Sequence, residues 1–222
     1  ELVDVGINLN FGPVVDLAVN PSNPIIVEPG RAYSGDPETV IRYARAFVSA
    51  HRDAGVRTCL KHFPGHGSSD RDSHRGGVDI SASWAPQELE IFRILVREGF
   101  AESIMSAHVY HPDFSDSDER PASLSKKSAM ILREQLGFKG PIITDDLQMG
   151  AISARYSEEV AAIDALAAGN DILLFSMYEQ PSPALPLRLK DILATALNNR
   201  TINREEFVIS RKRIDRFRTQ LR

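Results

Sequence analysis

A chain of 222 residues with 42% hydrophobic side chains is the size of one large domain and can bury a sizeable core. Its net charge of −4 and interspersed acids and bases argue against a nucleic-acid or membrane-surface partner. The lone cysteine, Cys59, has no partner for an intrachain disulfide and reads as small core filler, no stretch nears the roughly 20 apolar residues that span a bilayer, and the first residues lack the pattern of a signal peptide.

Taken in order, Val5 to Asp16 reads as a first strand, with Ile7, Leu9 and Phe11 alternating before a Gly12-Pro13 break. Asn20-Pro-Ser-Asn-Pro24 and Glu28-Pro-Gly30 then make a long, turn-rich loop that delivers Arg31, and ordered loops of this length are often functional. Asp36 caps a helix with Pro37 at its first position and Glu38 in its first turn, running to about Ala54 with Gly55 as the stop. The branched, apolar run Val56 to Leu60 predicts a strand over 57–61, followed by a loop shaped by Pro64, Gly65 and Gly67. A helix over 86–98 places Leu89, Phe92, Ile94 and Leu95 on or near one face, and a strand over 103–107 ends at His108. Beyond the turn-rich His111 to Asp118 segment, Ser125 is placed to cap a helix that buries Ala129, Leu132 and Leu136 and stops at Gly137. Pro141 to Thr144 forms the next strand and ends at Asp145-Asp146. Ser157 caps a helix that is apolar nearly all round through Val160, Ala161, Ile163 and Leu166, which predicts heavy burial. A strand over 170–175 follows, and helices over 184–198 and 203–221 close the chain, the second opened by Asn203 with Glu206 in a capping-box arrangement. The basic run Arg204, Arg211, Lys212, Arg213, Arg216, Arg218 and Arg222 reads as a solvated helix face.

Strands alternating with helices predict a parallel sheet whose buried strands read as apolar runs. No Gly-x-Gly-x-x-Gly follows a strand, so an open dinucleotide-binding sheet lacks its chief signal. Titratable residues gather instead at the carboxyl ends of separate strands, at Asp16, Lys61-His62, His108 and Asp145, which is how a (β/α)8 TIM-barrel-like fold builds its active site. Five strands fall short of the eight of a complete barrel. The expectation is therefore one domain over residues 1–222, an α/β barrel truncated at its N-terminus, with about the first two β/α units absent.

The densest chemistry lies in Lys61-His-Phe-Pro-Gly-His-Gly67 and its continuation to Asp72-Ser-His74. Lys61 and His62 at a strand end can donate to the hydroxyls of a polar ligand, and Asp72 with His74 offers a carboxylate-supported imidazole suited to moving protons near neutral pH. A metal reading competes through His62, His66, His74 and Asp72, but the spacing fits no familiar zinc signature. His66 is the histidine most readily read as serving loop carbonyls. Further on, Asp145 and Asp146 stand at a strand end in an apolar setting, where carboxylates need partners, and one of the two reads as a loop cap.

The string from Lys61 to Gly67 followed by Asp72-Ser-His74 resembles the signature of glycoside hydrolase family 3, in its bacterial β-N-acetylglucosaminidase (β-hexosaminidase) branch, which the Asp-x-His pair separates from the β-glucosidases. Ile142 to Met149, Met105 to His108 and Pro121 to Ser125 resemble further segments of that family, so the likeness covers nearly the whole chain. The resemblance implies Asp145 as nucleophile with Asp146 a structural neighbour, Asp72 and His74 as the acid/base dyad, and Arg31, Lys61 and His62 as ligands of sugar hydroxyls. By the same resemblance His108 lines the sugar pocket, with Arg57 and Asp16 as weaker candidates. It implies a retaining exo-glycosidase that releases terminal β-linked N-acetylglucosamine from peptidoglycan-derived muropeptides or chitooligosaccharides, with a small carbohydrate as partner and no metal or organic cofactor. Two departures from the family pattern are that Gly76-Gly77-Val78 replaces a proline common after Asp-Ser-His, and that an acidic, glycine-rich segment expected upstream is missing, which leaves the pocket incomplete. The competing readings are a β-glycoside phosphorylase on the same fold, a metal-dependent hydrolase using His62, His66 and His74, and an inactive barrel fragment. The family includes cytoplasmic recycling enzymes and exported ones, so the compartment stays open with a lean to the cytoplasm, and the oligomeric state stays open as well.

Overall fold

The computed structural model describes residues 1–117, 119–177 and 181–221; Asp118 of the turn-rich segment and Arg222 of the basic run lie outside the described residues. In chain order the elements are β1 (Leu9–Asn10), α1 (Pro37–Asp53), β2 (Arg57–Phe63), β3 (Val78–Asp79), α2 (Pro86–Arg97), β4 (Ser103–Ser106) and β5 (Val109–Tyr110). They continue with α3 (Lys126–Met130), which runs on as a π-helical turn over Ile131–Gln135, then β6 (Ile142–Asp146), α4 (Gly150–Ser153), α5 (Glu158–Ala167), β7 (Ile172–Leu174), α6 (Leu185–Asn198) and α7 (Arg204–Arg218). Strands β1, β2, β4, β6 and β7 lie side by side in that order, all parallel, and curl into a half-barrel. A helix lies on each connection between neighbouring strands, as parallel pairing requires a long crossover. Among the described residues no helix is long and apolar enough to cross a membrane.

Alternation along the strands builds two apolar layers. Leu60, Ile104 and Ile142 join Val40, Ala44 and Val48 of α1 and Ile91, Phe92 and Leu95 of α2 in the main core. Their neighbours Cys59, Met105 and Ile143 form a second cluster with Phe11, Ile172 and Leu174. Cys59 is fully buried there, and burial pushes its thiol up to about 12, so it is inert filler at neutral pH. Phe63 closes β2 between the rings of Phe92 and Phe114, edge to face at 5.3 and 5.9 Å.

Several local expectations change once the chain is packed. The first strand shrinks to Leu9–Asn10 because Gly12-Pro13 interrupts the ladder, which resumes only as a single bridge between Val14 and Lys61. Ser125 does not cap α3; Asp116 from the preceding loop does, accepting from the Lys126 and Lys127 amides at 2.6 and 3.1 Å. Helix α5 is capped by Ser157 as expected, but only its alanine face is buried, and Val160 stands 45% exposed. Asn203 caps α7 by accepting from the Glu205 and Glu206 amides, while the Glu206 side chain pairs with Lys126 at 3.1 Å rather than closing a box. Arg213 leaves the solvated face to meet buried Asp171 at 3.0 Å, together with Arg133. The parallel pair β3 and β5, a separate two-stranded sheet, has no counterpart in the sequence reading.

Candidate active site

Strand β2 delivers Lys61 and His62 to the carboxyl end of the sheet, and the chain then turns sharply through Pro64 and Gly65. Asp16, from the stretch after β1, lies buried behind that turn. One of its oxygens accepts from the His62 and His66 amides at 3.1 and 2.9 Å, and the other accepts from His62 Nδ1 at 2.6 Å. This bond directs His62 Nε2 toward Asp145 Oδ2, 4.0 Å away. Burial raises the Asp16 carboxyl, but the charge and hydrogen bonds of His62, with His66, outweigh it and hold the group below its ordinary range, so it is an anion at neutral pH.

Asp145 ends β6. Burial pushes its carboxyl up, while His62, His108 and the Asp146 amide pull it down further, leaving it below the ordinary aspartate value. Its side chain remains 17% exposed, so an ionised carboxylate faces the cleft. Asp146 is turned to structure: its oxygens accept from the Gln148 and Ser176 amides and, at 2.5 Å, from the Ser176 hydroxyl. The second imidazole unit sits on the loop between β2 and β3. Asp72 Oδ1 accepts from both the His74 amide and His74 Nδ1 at 2.8 Å, which leaves His74 Nε2 as the nitrogen available to a ligand on a ring 55% exposed. For Asp72, burial is again outweighed, here by the His74 backbone and ring and by Arg75, and its carboxyl is lowered.

A cavity of about 350 Å³ opens between these groups, and its wall carries Arg31, Lys61, His62, His74 and Asp145. Arg31 reaches it from the end of the long turn-rich loop, and its guanidinium donates back to the Ile25 carbonyl in mid-loop at 2.9 Å. Burial and the adjacent Arg31 lower the Lys61 ammonium, against the attraction of Asp145. Asp72 lies behind His74 rather than on the wall. His108, expected to line the same pocket, does not: Nε2 donates to the Asp146 carbonyl at 2.9 Å, which leaves Nδ1 to accept from the Ser123 hydroxyl at 2.7 Å. Burial lowers its pKa, so the neutral ring braces β6 and borders a neighbouring cavity with Tyr110 and Arg71. Arg57 is at the opposite end of β2, paired with Glu102 at 2.7 Å, because a strand of this length spans roughly 20 Å.

His66 forms no part of a ligand set. Ser69 Oγ donates to the His66 carbonyl, so His66 Nδ1 donates to Ser69 Oγ at 2.7 Å and Nε2 accepts from the Ser73 hydroxyl at 3.0 Å. Burial depresses this ring to about 4, and it stays neutral. Among the described residues no three His, Cys, Asp or Glu side chains converge as metal ligands. Two further residues escaped the sequence reading. Asn23, within the turn-rich loop, is fully buried and donates to the His66 carbonyl and Ser69 Oγ at 2.7 and 3.1 Å, so the loop delivering Arg31 and the loop delivering His74 share one strut. Glu88, the third residue of α2, accepts from the Gly67 amide at 3.0 Å; the acid three residues after Ala85 was its only sequence signal.

A parallel α/β sheet that gathers an ionised carboxylate, a carboxylate-held imidazole and two cations around one polar cleft at its strand ends has the form of an enzyme domain. The chain belongs to glycosyl hydrolase family 3: the profile of the glycosyl hydrolase family 3 N terminal domain matches residues 1–217. It is 39% identical over 201 residues to beta-hexosaminidase LpqI of Mycobacterium tuberculosis, covering 87% of this chain and 50% of that protein. The structure of a family 3 beta-N-acetylglucosaminidase from Paenibacillus sp. str. FPU-7 superposes with a TM-score of 0.88 at 35% identity, over 99% of this chain and 41% of that one. A beta-glucoside phosphorylase, BglX, superposes with a TM-score of 0.86 at 31% identity, over 100% and 40%. The chain spans about half the length of the curated relatives it matches.

Proposed function

We propose that this chain carries the catalytic site of a retaining exo-glycosidase acting on terminal β-linked N-acetylglucosamine. The observation that carries this reading is that Asp145 and His74 face one cavity in company with Arg31, Lys61 and His62. Asp145 attacks the anomeric carbon as a carboxylate, and the bond to the leaving oxygen breaks as that oxygen takes a proton from His74 Nε2. The glycosyl ester on Asp145 is then hydrolysed: His74 Nε2 accepts a proton from water, the hydroxide attacks the same carbon, and the carboxylate returns. Asp72 supports the imidazolium that exists between turnovers, in the place a second carboxylic acid occupies in most retaining glycosidases. Arg31, Lys61 and His62 hold the hydroxyls that orient the ring, a contribution able to lower a barrier by several kcal/mol. The names of the relatives support N-acetylglucosaminides as substrates, with chitooligosaccharides and peptidoglycan-derived muropeptides as the natural candidates. The same reading takes the five-stranded sheet as the larger part of a (β/α)8 barrel, supported by β1 and β7 each having a single neighbour among the described residues.

The test is release of nitrophenol from a nitrophenyl β-N-acetylglucosaminide by the full chain, beside Asp145→Ala and His74→Ala. Loss in both variants supports the assignment; turnover that survives Asp145→Ala sinks the nucleophile. The likeness to a phosphorylase keeps a second acceptor in play, and a rate that rises with phosphate and yields a sugar phosphate selects it. A folded parent chain without turnover selects the inactive fragment.

A further inference from the structure

Beneath the loop that carries His74 lies a carboxyl group that the proposed reaction does not touch. Glu88 is 1% exposed. Its Oε2 accepts from the Gly67 amide at 3.0 Å, and its Oε1 lies 3.4 Å from the Ala85 amide. Gly65 packs so closely on it that a Cβ there would stand 2.6 Å from Glu88 Cβ and Oε2. Trp84, just ahead of α2, donates from Nε1 to the Pro64 carbonyl at 3.2 Å. The start of α2 therefore grips the Pro64 to Gly67 turn from several sides. From that turn His66 Nε2 reaches the Ser73 hydroxyl at 3.0 Å, and the Ser73 and His74 carbonyls accept from the Ala151 and Gly150 amides, both at 3.0 Å. A continuous set of contacts thus runs from Glu88 to the backbone of the dyad.

We propose that Glu88 is a positioning residue for the acid/base dyad: its carboxylate fixes the Pro64 to Gly67 turn and, through the His66 to Ser73 hydrogen bond, sets where His74 stands relative to Asp145. The proposal rests on the dyad assignment above. Both amides that Glu88 meets are donors, so the ionised form grips and the protonated form gives up an acceptor. Burial and the facing Asp16 carboxylate oppose ionisation, against the Ser68 hydroxyl and the two amides, and raise the group to about 7. His66 beside it is neutral, and His111 faces Trp84 rather than Glu88. The grip is therefore set to change within the neutral range.

Trp84 is the sole tryptophan, so its fluorescence reports the turn without any substrate. Because the His111 ring lies 5.0 Å from it, the titration uses the full chain carrying His111→Gln, with and without Glu88→Gln. With Glu88 present a transition near pH 7 is expected, and with Glu88→Gln none. Amide exchange at Gly150 and Ala151 in Glu88→Gln is expected to quicken by about tenfold, corresponding to one pK-unit-sized loss of local stability. Ser73→Ala, which spares Glu88, should quicken the same exchange while leaving the Trp84 transition in place. In the reaction, Glu88→Gln should lower kcat/KM by about tenfold on a β-1,4-linked N-acetylglucosamine disaccharide, and by under about threefold on the nitrophenyl glycoside, whose leaving group needs no proton. A transition that survives Glu88→Gln, unchanged exchange at Gly150 and Ala151, or equal losses on both substrates overturns the proposal. Should the parent chain turn over neither substrate, the hydrolase reading falls, and the titration and exchange still decide whether Glu88 positions the loop.

Discussion

Replacing Gly150 with alanine probes the contact that pins the His74 loop against the start of α4. The Gly150 and Ala151 amides donate to the His74 and Ser73 carbonyls at 3.0 Å, and a Cβ on Gly150 would stand 2.5 Å from the His74 oxygen and 2.9 Å from the Arg75 carbonyl carbon. Relieving that overlap requires the loop to retreat by roughly 0.5–1 Å. Within a helix alanine is preferred over glycine by about 0.5–1 kcal/mol, so α4 itself is not weakened and the displacement falls on the exposed loop. A shift of about 1 Å in a group that must hand over a proton can lower a rate by up to about 10²-fold. That corresponds to a barrier higher by about 2.7 kcal/mol. The expected result is a loss of about 10- to 100-fold in kcat/KM on a disaccharide substrate, with a thermal midpoint within a few degrees of the parent. Full activity at an unchanged midpoint refutes the pinning. Activity lost only in proportion to a fall in the midpoint assigns the effect to folding instead.

Asp16→Asn leaves an acceptor for the His62 and His66 amides but removes the charge that holds His62 Nδ1 at 2.6 Å. It should lower kcat/KM by about tenfold with unchanged circular dichroism, and unaltered kinetics would remove His62 from the site. Glu88 also has a stability signature: with its pKa raised from 4.5 to about 7 in the fold, the native state binds the extra proton, so stability is fully present below about pH 4.5 and declines as pH rises to about 7. The decline is on the order of 3 kcal/mol, absent in Glu88→Gln, and urea unfolding at pH 5 and pH 8 measures it. Asp171→Ala strands Arg133 and Arg213 and leaves the Ile142 amide without its acceptor at 2.8 Å. Breaking one side of such a buried group should cost about 3–5 kcal/mol, and a change below about 1 kcal/mol would show the cluster to be solvated.

Much of the architecture was legible because its determinants are local. Asp36 with Pro37, and Ser157, cap their helices in the structure by accepting from Thr39 and Val160, within three residues of themselves. The apolar runs at 57–61, 103–107 and 141–144 became neighbouring parallel strands, since buried strands joined by helices have few other arrangements. The grouping of the candidate site was visible for a related reason: Asp72 and His74 are two residues apart and pair directly, and Lys61 with His62 arrives on a single strand end.

Without the family resemblance, which pointed to Asp145, spacing and residue type alone leave open which of two similar residues meets the cleft. Asp145 and Asp146 differ by one position, yet one faces His62 and the other binds Ser176, because successive strand residues point to opposite sides. His66, read from the sequence as serving loop carbonyls, and His108, implied by the resemblance to line the pocket, both have their ring nitrogens taken up, by Ser69 and Ser73 and by Ser123 and the Asp146 carbonyl. Glu88, Asn23 and Asp116 act on segments brought near only by folding; the capping-box spacing marks Glu88 as a partner of Ala85 but not of Gly67. Caps, turns and periodicity are properties of a few adjacent residues and survive in the string; burial, pKa and the choice of hydrogen-bond partner belong to the space at the strand ends, which exists only after the strands have packed side by side.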